Sequence, residues 1–175
     1  IIFVVSFYFR SWYKKPAGRK VVDTYILKVP VFGRLLQQSM MAEFARTLSL
    51  LVSSGSLVVE SLMKSSDVVN NVLYREAITL VAKRVEKGID MGDAMEASPL
   101  FPPMVVEMVK IGEETGKLDD SLMKASEYFE REVEESVKVM TTLLEPVIMI
   151  ILALGVGFLI IAIITPIYNL ISSIS

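Results

Sequence analysis

The chain is 175 residues long and 53% hydrophobic, with a mean hydropathy of +0.53 and a formal net charge of -2, too apolar for an ordinary soluble domain of this size. It contains no cysteine and no histidine, which excludes disulfide frameworks and thiolate metal sites and removes the commonest general base; a pI near 5.3 gives no overall basic field for nucleic acid. All 18 Lys and Arg and all 20 Asp and Glu lie between Arg10 and Glu145, so the apolar excess sits at the two ends of a middle composed like one small soluble domain.

The opening residues, IIFVVSFYF over 1–9, are apolar but too few to span a bilayer, and they read as the end of a truncated transmembrane helix. Basic residues follow this run instead of preceding it, which argues against a signal peptide. Arg10, Lys14, Lys15, Arg19 and Lys20, with Trp12 and Tyr13 among them, mark residues 10–35 as a basic juxtamembrane linker on the cytoplasmic side. Pro30 and Gly33 predict a turn. Beyond it the apolar spacing is helical almost everywhere, which predicts an all-α fold, with a helical bundle over 36–145.

In that bundle Met40, Met41, Phe44, Leu48, Leu51 and Val52 line one face of a helix that Gly55 ends. A short helix follows from Leu57 to Val69. Asn70 or Asn71 caps a third, with Leu73, Ala77, Leu80, Val81 and Val85 inward and Gly88 as its stop. Asp90 caps a fourth running through Met95. Ser98-Pro99 breaks it, and Pro102-Pro103 opens a helix from Pro103 to about Glu113, closed by Gly116. Asp119 or Asp120 caps the last, on which Leu122, Phe129, Val133, Val137, Met140 and Leu144 recur at steps of three or four up to Pro146. The acids at 127, 130, 132, 134 and 135 read as a solvated face with i,i+4 pairs. From Val147 to Ile164 eighteen uncharged residues predict a transmembrane helix, placed over 146–170, and residues 171–175 a short non-cytoplasmic tail.

GEETGK, Gly112 to Lys117, imitates a phosphate loop and fails it. It has three residues between its glycines where four are needed, Leu118 where a hydroxyl should ligate magnesium, and two acids where phosphates would sit. An interhelical turn explains it, and no cofactor, metal or catalytic residue is expected anywhere in the chain. In the span, Ala153 and Gly157 form a small-xxx-small pair with Gly155 between them, suited to close packing of a second helix. Glu145 is the last charge before thirty uncharged residues. At the membrane boundary it must face protein, water or headgroups.

Four segments together resemble a known family: VPVFGRL (Val29 to Leu35), EFARTLSLLVSSG (Glu43 to Gly55), SPLFPPMVVEMVKIGEETGKL (Ser98 to Leu118) and LLEPVIMIILALGVGFLIIAIITPIYNL (Leu143 to Leu170). In this order they are similar to the inner-membrane platform proteins of type IV pilus and type II secretion machines, the PilC/GspF or F-domain family. The resemblance implies an antiparallel six-helix cytoplasmic bundle and a C-terminal transmembrane helix, this chain being the second of two such copies. It implies a multi-pass protein of the bacterial inner membrane without enzymatic activity. Its partners would be a cytoplasmic hexameric assembly ATPase, pilin or pseudopilin transmembrane helices, other machine components, further copies of itself and the lipid bilayer. Phe101, Pro102, Gly112, Glu113 and Gly116, the joint Glu145-Pro146, and Gly155, Gly157 and Pro166 match the family's recurring positions. The competing reading is a membrane-tethered signalling or dimerisation module.

Overall fold

Apolar residues at three- and four-residue spacing, punctuated by glycines and prolines, leave the chain one economical way to satisfy its backbone, and the computed structural model, which describes residues 16–30 and 32–172, consists of helices joined by short turns. No strand occurs among them. The opening apolar run with Arg10 to Lys15, and the tail from Ser173, lie outside the described residues. The helices are α1 (Pro16–Ile26), α2 (Phe32–Ser53), α3 (Val58–Val68), α4 (Val72–Val85), α5 (Met91–Glu96), α6 (Pro103–Thr115) and α7 (Leu118–Ser172). The chain divides into two units, Ile1–Glu134 and Glu135–Ser175, and α7 contributes to both.

Successive helices of the first unit pack as neighbours: α2 on α3, α3 on α4, α4 on α5, α5 on α6, with α1 against α4. Its core joins Met41, Phe44 and Leu48 of α2, Leu62 of α3, Tyr74 and Ile78 of α4, Met91 and Met95 of α5, Val105 and Val109 of α6 and Leu122 of α7. Buried serines sit where α7 meets α2. Ser126 Oγ donates to the Ala42 carbonyl at 3.0 Å and Ser49 Oγ to that of Asp119 at 2.8 Å, so small polar side chains permit close approach without leaving a buried hydroxyl unpaired.

Several local expectations are corrected. Helix α1 occupies part of the stretch read as a linker. On α4 the fully buried positions are Tyr74, Ile78, Val81 and Ala82, with Ala77 and Val85 half-buried against the core and Leu80 exposed; the Tyr74 hydroxyl donates to the Leu100 carbonyl at 2.9 Å. Asn71 does cap α4, its Oδ1 accepting from the amides of Leu73 (2.9 Å) and Tyr74 (3.3 Å). Asp90 stands at the start of α5 but makes no side-chain cap bond. Asp119 and Asp120 lie inside the first turn of α7, where their charge still favours the helix N-terminus. Phe129 is the last fully buried residue of α7's apolar series; Val137 and Leu144 are exposed.

Candidate functional site

Phe101 is a core residue, its ring 6.4 Å from that of Phe44. Pro102 stands at the N-cap of α6 with an extended ψ of 141° and Pro103 takes the first helical position, where a missing N–H costs nothing. The two prolines edge a cleft of 410 Å³ whose other walls include Arg34, Gln37, Tyr128 and Phe129.

Gly112, Glu113 and Gly116 are brought together by the end of α6 and do three different things. Gly112 is buried where α6 crosses the start of α7: a Cβ there would come within 2.9 Å of the Leu118 Cα and 3.0 Å of the Ser121 Cβ. Gly116 ends the helix at a φ of +67°, its N–H bonded to the Glu113 carbonyl at 3.3 Å while Lys117 N–H bonds that of Gly112 at 2.9 Å. This left-handed cap favours glycine. Glu113 reaches across to α5, its Oε1 accepting from Met91 N–H at 2.6 Å and its Oε2 from Gly92 N–H at 2.8 Å. The carboxylate supplies the cap that Asp90 does not.

Sequence reasoning missed this role, and its counterpart at Asp23. Buried at the foot of α1, Asp23 accepts from the Val72 N–H of α4 at 2.9 Å. Each acid satisfies orphan amides and a positive helix end on a different helix. No local signal announces such a pair, because donor and acceptor are 49 residues apart for Asp23 and 21 or 22 for Glu113.

Around Glu113, Lys110 bridges Glu96 at 2.7 Å and Asp93 at 3.2 Å; hydrogen bonds to these carboxylates, Glu96 foremost, raise the ammonium above its ordinary pKa. The acidic stretch of α7 is only partly a solvated face. Glu127 pairs with Arg131 one turn on, but Glu130 pairs with Arg46, and Glu132 with Arg34 and the Gln38 amide of α2. No cluster of acids fit to hold a metal ion occurs among the described residues. The loop at Gly112 to Lys117 is a helix cap and gives its amides to its own carbonyls.

In the second unit α7 continues through Glu145 and Pro146, both exposed. The Thr141 and Thr142 hydroxyls donate one turn back, to the carbonyls of Val137 (2.9 Å) and Lys138 (3.0 Å), and so do not reach the Thr142 carbonyl that Pro146 leaves without its usual donor. Beyond Pro146 nearly every described side chain through Ile164 is exposed, and no side-chain or backbone atom of another element lies within 4 Å of where a Cβ on Gly155 or Gly157 would stand. Ala153 is exposed on the same stretch. Among the described residues this is the one helix long and apolar enough to cross a membrane.

Described residues built of helices alone, one of them able to cross a membrane, define a class; sequence comparison gives the family. Residues 44–166 match the family described as type II secretion system (T2SS), protein F, and the chain belongs to that family. It is 39% identical over 168 residues to the type IV pilus assembly protein TapC of Aeromonas hydrophila, covering 96% of this chain and 41% of that protein. It is 38% identical over 170 residues to the type IV pilus assembly protein PilC of Thermus thermophilus, covering 97% and 42%. With the type II secretion system protein F of Aeromonas hydrophila it shares 31% identity over 170 residues, covering 97% and 44%. The chain thus spans less than half the length of these relatives.

Proposed function

We propose that this chain is part of an inner-membrane platform protein of a pilus or type II secretion machine, which passes the motion of a cytoplasmic assembly ATPase to pilin or pseudopilin helices without chemistry of its own. The observation that carries this reading is α7, which supplies Leu122, Ala125 and Phe129 to the core of the first unit and, beyond Glu145, runs on as an uncharged, exposed helix. Family membership supports the machine. The basic residues among 10–20, against an uncharged run after Glu145, support a cytoplasmic six-helix bundle over residues 36–145, followed by a transmembrane helix over 146–170. Phe101, Pro102, Gly112, Glu113 and Gly116 act as the bundle's structural signature. Ala153 and Gly157, one turn apart, form a packing face for another membrane helix, from a further copy or a machine component, and Gly155 is a second small position on the other side of the same helix.

Glu145 and Pro146 are the mechanical joint of this scheme. Proline removes a backbone hydrogen bond, and the threonines' bonds to the preceding turn favour bending. A charge facing lipid costs roughly 2.5–3.5 kcal/mol at the helix centre and less towards the boundary, so Glu145 is retained against protein, water or headgroups. Glu145→Leu in the gene encoding this chain should leave abundance and membrane fractionation nearly normal while impairing surface pili or secretion, with Pro146→Ala milder. Full assembly by Glu145→Leu would remove the joint from the mechanism.

A further inference from the structure

The corner between α1 and α2 carries apolar side chains that the core does not use. Tyr25 is 66% exposed and Phe32 54%, and Val21, Val29 and Leu36 are exposed with them. Val21 and Tyr25 are one turn apart on α1, as are Phe32 and Leu36 on α2, so each pair shares a face. The opposite side of α1 is committed to α4 through Lys20 and Glu76 at 2.6 Å and through Asp23 and the Val72 amide. The corner itself is tightly made. Gly33 donates to the Val29 carbonyl at 2.8 Å and lies so close to the Leu27 carbonyl that a Cβ has no room.

Charge says what such a surface suits. Residues 10–34 hold seven Lys and Arg against one acid, Asp23, and that acid is buried and bonded. The remainder of the chain is net acidic. Lys28 Nζ stands 5.8 Å from the centre of the exposed Tyr25 ring, an aromatic body and an ammonium side by side, the pairing favoured at the boundary of headgroups and acyl chains. Only residues 10–15 separate the apolar opening run from α1, a distance of at most about 20 Å even when fully extended. If that run is the end of a span, the corner is within reach of the same bilayer surface.

We propose that this corner is a lipid seat, in which Tyr25 and Phe32 rest in the interfacial layer of an anionic bilayer and Lys28, with the basic residues before α1, meets lipid phosphates. The proposal rests on the reading of the chain as a membrane protein, and the attraction of basic residues to an anionic surface supplies its lipid preference. Because the chain has no native cysteine, single cysteines at Tyr25, Phe32 and, for comparison, the exposed Leu57 can each carry an environment-sensitive fluorophore. The labelled chains are incorporated into nanodiscs of phosphatidylcholine with or without phosphatidylglycerol, doped with lipid bearing a nitroxide near the headgroup. The expected result is strong loss of emission at 25 and 32, greater with phosphatidylglycerol, little loss at 57, and weaker loss at 25 and 32 when Lys28→Glu is added. Co-migration of the chain with the nanodisc tests membrane insertion separately. A chain that inserts yet shows no quenching at 25 and 32, or equal quenching in the two lipids, overturns the lipid seat alone. So does a label site that is unquenched in nanodiscs but shielded from thiol reagent in native membranes, which would assign the corner to a protein partner.

Discussion

Replacing Glu113 by alanine removes both acceptors that hold the first two amides of α5. Hydrogen bonds to a charged group contribute about 1.5–3 kcal/mol each when well buried, and the loss of a helix cap costs about 0.5–2 kcal/mol. Glu113 is half-buried, so a loss of about 2–4 kcal/mol is expected for the pair. At about 2–4 °C per kcal/mol for a chain of this size, the melting temperature should fall by roughly 5–15 °C. The damage should be local first, because α5 is only six residues long and delivers Met91, Ala94 and Met95 to the core. Hydrogen exchange of the detergent-solubilised chain should lose protection at Met91 and Gly92 before the rest of the unit. Glu113→Gln, keeping one acceptor, should fall between. Asp90→Ala and Glu114→Ala are the controls, each expected within about 0.5 kcal/mol of the parent. If Glu113→Ala melts with these controls and its exchange pattern is unchanged, the cross-helix cap does not stabilise α5.

Gly112→Ala forces a Cβ against Leu118 and Ser121 and should cost about 1–3 kcal/mol in thermal melting, and Gly116→Val, placed at positive φ, should cost at least about 1–2 kcal/mol; Gly155→Ala should leave the melting of the first unit unchanged. Burial pushes the Tyr74 phenol up to about 12, the Gln37 side chain partly opposing the shift. The folded state therefore holds this proton more tightly than the unfolded state, so its contribution is complete below about pH 10 and lost as pH rises through about 12; Tyr74→Phe should flatten the fall of melting temperature over that window. For topology, a cysteine at Lys15 should be shielded from a membrane-impermeant thiol reagent in intact cells and one at Ser173 labelled, and the reverse pattern would invert the proposed orientation.

The amino-acid sequence by itself determined whatever is written in periods and punctuation. Helix type follows from the spacing of Met41, Phe44 and Leu48; boundaries follow from Asn71, Pro103 and the positive-φ glycines 55, 88 and 116; the apolar helix follows from an absence of charge long enough to cross hydrocarbon. These are local properties, each set within a single continuous stretch of chain. Tertiary structure alone decided which acid caps which helix. Asp90 occupies the expected position and is idle, whereas Glu113 and Asp23 reach helix ends far away in sequence. It set Tyr74, which a count of apolar spacing leaves aside, in the buried stripe of α4 and left Leu80 outside it. It also gave Glu130 and Glu132, at the margin of the solvated face, partners on another helix, Arg46 and Arg34 of α2. A carboxylate carries no mark of its partner in its neighbours. The partner is chosen by where packing brings a free amide or guanidinium within about 3 Å, and that distance exists only once the helices are in place.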